Sequence, residues 1–254
     1  MRKVVFDTAP DIEILYQDDY LVAINKPSGL LVHRSEIDKR ETLFALQLTR
    51  DLIDQRVYPI HRLDRPTSGV LVFALSSEVA KLMSEQFINQ KVQKSYLAMV
   101  RGYAPEEMTI DYALKEILDK FADKHANKDK APQEAISQIK RLATVELPFA
   151  SGRYSQSRYS LVELKPKTGR KHQLRRHMSH IRHPIIGDTN HGDGKQNKAA
   201  LEHLKLDRLA LHAQSIEFQH PISHSNIKIS APMDDSLLHV FGLCHWENET
   251  NLIA

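Results

Sequence analysis

The sequence predicts an α+β fold, a mainly antiparallel mixed sheet core with flanking helices and loops. Two observations carry that expectation. Short apolar or alternating runs of strand character outnumber the stretches with helical spacing, and many of them follow one another across short polar turns, as hairpin-connected antiparallel strands do. No internal repeat or low-complexity block suggests a solenoid or a linker, and 254 residues can bury the core of one large domain, taken here as a single unit spanning 1–254.

The elements follow in order. Glu13 to His33 contains two strands around the polar turn Asp18-Asp19, the second of them, Tyr20 to Ile24, too continuously apolar to face water. Pro27-Ser28-Gly29 forces a turn. Asp38 and Glu41 have the spacing of a capping pair for a helix whose apolar positions are Phe44, Leu48 and Leu52. Val57 to Ile60 is a short strand. His61 to Gly69 is a polar loop, and Val70 to Leu75 is a further strand. Ser76 or Ser77 caps a helix that buries Val79, Met83 and Phe87. Gln93 to Arg101 alternates, with Tyr96, Ala98 and Val100 on one face. Lys115 to Gln133 mixes both charges with few apolar residues after Phe121, which predicts an exposed, flexible insertion. Strands return over Ala135 to Leu147 and Arg158 to Leu164. Arg170 to Arg182 is a helix with Leu174, Met178 and Ile181 inward. Leu209 to Phe218 and Ile227 to Ala231 are late strands, Asp234 to Leu243 is a closing helix, and the tail from Glu247 is predicted to be disordered.

Composition narrows the functional classes. The 35 Lys+Arg against 32 Asp+Glu leave a net charge of +3, so any nucleic-acid signal must come from local clustering. One cysteine, Cys244, rules out an internal disulfide and a multi-cysteine zinc site; it suits a small apolar residue beside the last helix. No apolar run is long enough to span a bilayer, and the first ten residues lack a signal-peptide core, so a cytoplasmic protein with no membrane partner is expected.

Two constellations could carry chemistry. In His61-Arg62-Leu63-Asp64-Arg65-Pro66-Thr67-Ser68-Gly69 a single acid sits between two arginines, in a loop between apolar strands. Flanking guanidinium groups favour the charged carboxylate that a nucleophile or general base requires. The same pattern also suits a surface turn with an ordinary ion pair. The second constellation is Lys165 to His183, with seven Lys/Arg, four histidines and no acid. A helix opening near Arg170 would aim its first amides at an anion, and Lys171, Arg175 and Arg176 would add phosphate contacts. The alternative is a solvated basic face. The long run without a counter-charge favours RNA or another polyanion. The histidine spacing invites a metal, but that stretch holds no acidic or thiolate ligand and its positive charge would repel a dication, so none is expected. Tyr96 on its strand could stack on an unstacked base or simply pack. His183 to Asp188, continuing to Asp193, is expected to be a tight turn that shapes the site.

Together these segments resemble the RluA-type pseudouridine synthases. His61-Arg62-Leu63-Asp64 with Thr67-Ser68-Gly69 resembles their catalytic motif, and Asn25-Lys26-Pro27-Ser28-Gly29 their N-terminal signature. Lys94-Ser95-Tyr96 resembles the tyrosine-bearing strand, and Leu164 through Thr168-Gly169-Arg170, His172-Gln173-Leu174-Arg175 and His177 the third motif. The resemblance runs from about Ile12 to Met233, with motifs in the same order and spacing; the family usually carries tyrosine where this chain has His191.

The resemblance implies a catalytic cleft across the sheet and an RNA-modifying isomerase that turns a uridine into pseudouridine. It implies Asp64 as catalytic carboxylate, Arg170 as its paired arginine, Tyr96 packed against the target base and proposed as proton acceptor, and Arg62 filling the gap left by the flipped nucleotide. Leu31-Val32-His33-Arg34, Arg65-Pro66-Thr67, the Asp119 to Lys130 insertion and Arg176-His177 are similar to a tRNA-acting branch. That branch implies the uridine at tRNA position 65, with ribosomal RNA as the alternative. The segment before Glu13 is too short for the extra RNA-binding domain of many relatives. A redox-neutral rearrangement requires no nucleotide cofactor, in keeping with a sequence that has no Gly-rich phosphate loop. A non-catalytic RNA-binding protein and a metal-dependent hydrolase are the rival functions; the Asp64, Tyr96 and Arg170 set argues against the first and the missing carboxylate cluster against the second. Nothing in the sequence specifies an oligomeric state.

Overall fold

The pair Asp18-Asp19 turns the chain between its first two strands, because Asp18 Oδ1 accepts from the backbone of Tyr20 and Leu21, both at 2.8 Å. That hairpin joins β1 (Glu13–Gln17) to β2 (Leu21–Lys26). The computed structural model describes residues 6, 8–34, 41–117, 131–152 and 154–247.

β2 continues into α1 (Ala45–Ile53), then β3 (Tyr58–Pro59) and β4 (Ser68–Ala74). α2 (Ser77–Ile88) leads to β5 (Gln93–Arg101), β6 (Glu107–Asp111), β7 (Ile136–Leu147) and β8 (Ser157–Pro166). α3 (Gln173–His180), α4 (Gly194–Leu204), β9 (Leu211–Gln219), β10 (Asn226–Ser230) and α5 (Asp235–Leu243) complete the described chain. One sheet takes them in the order β1-β2-β4-β9-β5-β8-β7-β6, with β3 also on β4 and β10 on β9. Every pairing is antiparallel except β4 with β9, as expected for a mainly antiparallel mixed sheet.

The parallel pairing is short: Ser68 faces His212 and Gly69 faces Ala213. Gly69 has φ +110°, and a Cβ there would lie 2.2 Å from the Ala213 carbonyl oxygen. Only glycine lets the two backbones meet. Three apolar cores pack around the sheet, and Tyr96 on β5 touches two of them. The tyrosine therefore marks the seam where a cleft can open.

Several sequence expectations shift. The helix expected from Asp38 begins at Ala45, with Phe44 at its N-cap and no side-chain cap; Asp38 lies outside the described residues, and Glu41 pairs with Arg65 instead. Leu52, expected inside, is exposed, and Thr49 is buried in its stead, bonding the Ala45 carbonyl at 2.7 Å. Most of the charged insertion (118–130) and of the tail (248–254) lies outside the described residues. α4, capped by Asp193, and the strand β6 were not legible as elements.

The third motif shows the largest shift. Arg170 and Lys171 precede α3 instead of opening it. His172 stands at the N-cap with φ 55°, a left-handed conformation that helix cannot pass through. Gln173 does the organising: its Oε1 accepts from Thr168 Oγ1 at 2.7 Å and from the Arg170 backbone at 3.0 Å, and its Nε2 donates to the Ile136 carbonyl at 3.0 Å.

Candidate active site

The loop that carries Asp64 is clamped from the N-terminal motif. Lys26 is fully buried, and its Nζ donates to the carbonyls of Pro27 at 2.9 Å, Leu30 at 2.8 Å and Arg65 at 3.2 Å. The Gly29 N–H donates to Arg65 O at 2.8 Å, Arg65 Nε returns a bond to Gly29 O at 2.9 Å, and Ser28 Oγ donates to Pro66 O at 2.8 Å. Burial, with help from Arg208 and Arg65 and against the attraction of Asp64, pushes Lys26 down to about 7. Arg65 thus bonds to the clamp and to Glu41, and among the described residues the guanidinium bonded to the Asp64 carboxylate is another one. His61, at the start of the loop, accepts from the Val72 N–H at 3.0 Å and stacks on Phe87. Burial and then Lys94 push its imidazole down to about 3, so it acts as a neutral strut.

The arginine on Asp64 is Arg175, where the sequence reading placed Arg170. Arg175 Nη1 donates to Asp64 Oδ2 at 3.1 Å. The rest of its guanidinium grips Asp188 with two bonds of 2.8 Å, Nε to Oδ2 and Nη2 to Oδ1. Arg170 is exposed, and its Nε donates to the Glu134 carbonyl at 3.0 Å. The reason is geometric: with helix starting at Gln173, position 175 points inward from the first turn, whereas 170 lies on the loop before it. Arg175 had also been expected to contact phosphate. With its side chain 4% exposed and bonded at all three nitrogens, it is committed to the protein.

Exposure separates the two acids. The Asp64 side chain keeps 19% of its surface, whereas that of Asp188 keeps 0%. Asp188 also accepts from the backbone of Asn190 at 2.9 Å and His191 at 3.0 Å. These bonds and Arg175 outweigh its burial and hold its carboxyl below the usual range. Asp188 thus completes the site from behind, as the expected tight turn should; its specific role was missed, and the signal available was a lone acid directly after a long basic run.

Asp64, Tyr96, Arg62, Arg170, Lys171 and His172 all line one cleft of about 660 Å³. That volume is within the roughly 300–1,000 Å³ typical of small-ligand sites, room for one everted nucleotide. Burial, then the charge of Asp64, pushes the Tyr96 phenol well above its ordinary value, so it stays protonated. Arg62 is exposed at the wall. Lys171 and Arg176 each donate to a carbonyl of the 115–117 segment, Ile117 O at 3.2 Å and Lys115 O at 2.9 Å. The histidines of the basic run have separate partners: His172 with His191, His177 with Ser137 and the Tyr112 carbonyl, His180 stacked on Tyr112, and His183 with the Arg101 carbonyl.

Residues 20–180 match the family model described as RNA pseudouridylate synthase. Several proteins named tRNA pseudouridine synthase C are similar over nearly their whole length. The one from Pasteurella multocida is 58% identical, covering 93% of this chain and 97% of its own. That from Haemophilus influenzae is 57% identical (93% and 99%), and that from Vibrio parahaemolyticus 54% identical (94% and 97%). Among solved structures, human RNA Pseudouridylate Synthase Domain Containing 4 superposes with a TM-score of 0.68 at 26% identity, covering 92% of this chain and 93% of that one. Human RNA Pseudouridylate Synthase Domain Containing 1, at TM-score 0.69 and 24% identity over 92% and 89%, shares the fold. With the cleft, its carboxylate and these likenesses in hand, this chain belongs to the RNA pseudouridylate synthase family.

Proposed function

We propose that this chain converts one specific uridine of tRNA to pseudouridine, with Asp64 as the reacting carboxylate. The observation that carries the chemistry is Asp64 held by Arg175 in a cleft walled by Tyr96, the single acid of the Arg175 cluster that a substrate can reach. The tRNA assignment is supported by relatives of that name at 54–58% identity over most of both chains. The reaction cleaves the bond between ribose C1′ and uracil N1, turns the base, and joins C1′ to C5; the C5 hydrogen leaves and N1 ends protonated, with no net oxidation. Arg175 fixes the Asp64 carboxylate in angle and position, which is where orientation contributes most to rate. The protonated Tyr96 offers a ring face to the uracil and a hydroxyl that can relay a proton, while its environment opposes the phenolate a simple base would need.

Reaching the base costs unstacking of a few kcal/mol. Arg62, Arg170 and Lys171, which line the cleft, with Arg176 on the neighbouring helix, supply phosphate contacts that offset it. The activity needs no metal and no small-molecule cofactor. The test is pseudouridine mapping of tRNA and ribosomal RNA incubated with purified protein and with Asp64→Asn. We expect one modified tRNA uridine with the native protein and none with the variant. Modification by Asp64→Asn, or of ribosomal RNA alone, would overturn the reading.

A further inference from the structure

The loop that holds Arg175 also holds a second polar side chain of the cleft. His172 Nδ1 lies 3.0 Å from His191 Nε2, the rings meeting edge to face at 5.2 Å and 73°. His191 is itself fixed, because its N–H donates to Asp188 Oδ1 at 3.0 Å and its neighbour Gly192 packs so closely that a Cβ would lie 2.0 Å from the Asp188 carbonyl oxygen. His172 has the strained φ of 55°, which natural side chains adopt where surrounding structure imposes it. Arg175 and His172 are three residues apart, and Asp188 and His191 are three apart, so two short segments cross-brace each other at two points.

The bond consumes one ring nitrogen of each histidine. A hydrogen bond between imidazoles needs one N–H and one lone pair, so the pair fixes each other's tautomer. Burial pushes His172 down to about 4; Asp64 opposes this, while Arg175, His191 and Lys171 add to it. Burial also lowers His191, against the pull of Asp188. The pair is neutral near pH 7. With Nδ1 spent, Nε2 is the remaining polar atom of the His172 ring, no described residue bonds it, and the ring lines the cleft that contains Asp64. A neutral nitrogen suits a neutral oxygen, and phosphate has better partners in Arg170 and Lys171.

We propose that His172 Nε2 hydrogen-bonds a neutral oxygen of the target nucleoside, a ribose hydroxyl or a uracil carbonyl, and that His191 is the positioning residue that sets the ring for it. This rests on the activity proposed above. The experiment is single-turnover pseudouridine formation on tRNA, with tRNA affinity measured in parallel. His172→Asn tolerates the left-handed backbone and places an amide where Nδ1 stands, but nothing at Nε2. His172→Gln places its amide near Nε2. His191→Phe keeps the ring shape and removes both nitrogens. His172→Asn should slow the step at least about tenfold with affinity within about twofold, and Gln should recover part of that rate. His191→Phe should slow it similarly and add little in the double variant, as expected of residues acting through one contact. A target lacking the 2′-hydroxyl separates the two ligand oxygens: the His172→Asn penalty vanishes if the ribose is the partner and persists if the base is. Native rates for both His172→Asn and His191→Phe, or fully multiplicative losses in the double variant, overturn the proposal alone. A native protein inert on tRNA sinks the activity reading and this proposal with it.

Discussion

Arg175→Lys and Arg170→Lys form a pair of substitutions that the structure separates sharply. Arg175 spans two carboxylates with three nitrogens: Asp188 at 2.8 Å twice and Asp64 at 3.1 Å. A lysine keeps the charge, but its point-like ammonium cannot hold a bidentate grip on one acid and reach the other. At least one charge-assisted bond at a nearly buried site is lost, which costs roughly 1.5–3 kcal/mol. For a domain of this size that lowers Tm by about 2–4 °C per kcal/mol, so roughly 3–12 °C, and a protein with ordinary stability stays folded at 25 °C. Asp64 also loses its aim, and misplacing a reacting group by an ångström costs on the order of a hundredfold. Arg170 makes one bond, to the Glu134 carbonyl, from an exposed position. Arg170→Lys should leave Tm within about a degree and the single-turnover rate within about threefold, since surface changes are usually within about 0.5 kcal/mol. The assay is single-turnover pseudouridine formation at saturating protein, with a thermal melt of each variant. If Arg175→Lys turns over normally while Arg170→Lys loses tenfold, the account of what orients Asp64 is wrong.

Three further outcomes follow from the same geometry. Lys26→Met should change global stability by less than about 2 kcal/mol, because the carbonyls it orphans at roughly 1–3 kcal/mol each are offset by the removed cost of burying an ammonium. The Asp64 loop should nonetheless loosen, seen as faster amide exchange over 61–67 and a slower reaction; unchanged exchange there would show that the clamp is redundant. Stability should fall on acidification from pH 6.5 towards 4. His61 and His212 are held neutral by burial at about 3 and about 4, so the unfolded chain takes up protons that the native state refuses, at about 1.4 kcal/mol per pH unit for each. A denaturation midpoint flat across that window would contradict it. Alanine at Arg62, Arg170 and Lys171 together should weaken tRNA binding and reduce the salt slope by about one per lost phosphate contact; a slope equal to that of the native protein would show that these cations face away from RNA.

Much of the fold was legible because its signals are local. Period-two alternation marked β5 to the residue, Ser76 and Asp234 marked helix starts, and the turn at Asp18 was plain from its polarity. The elements that shifted or escaped have weak local patterns. α1 buries Thr49, a polar residue whose hydroxyl is satisfied within the helix, so apolar spacing pointed to Leu52 instead. β6 shows one buried residue out of five and owes its existence to pairing with β7. Within the site, Asp64 and Tyr96 were recognisable from their motifs, and the cleft joins them. The Lys26 clamp was not readable, because its three acceptors are backbone carbonyls brought together by the fold.

The choice between Arg170 and Arg175 shows where sequence reasoning reaches its physical limit. Both are arginines in one acid-free stretch, and continuous helix from Arg170 would put both on the same segment. What separates them is one backbone angle: His172 is left-handed, so helix begins after it and the inward direction falls on residue 175. That angle is held by contacts distant in sequence: Gln173 on β7, and His191 and Asp188 in the turn before α4. Asp188 then settles the matter electrostatically. An arginine buried to 4% exposure needs more than one partly solvated carboxylate to balance its desolvation, and the fully buried Asp188 supplies the rest with two parallel bonds. Because Asp188 anchors the guanidinium from behind, Asp64 is left with a single bond from it, and its side chain, 19% exposed, lines the cleft. A bidentate Asp64–arginine pair engages both carboxylate oxygens; with Asp188 taking two of the three nitrogens, Arg175 engages Asp64 through Oδ2 alone.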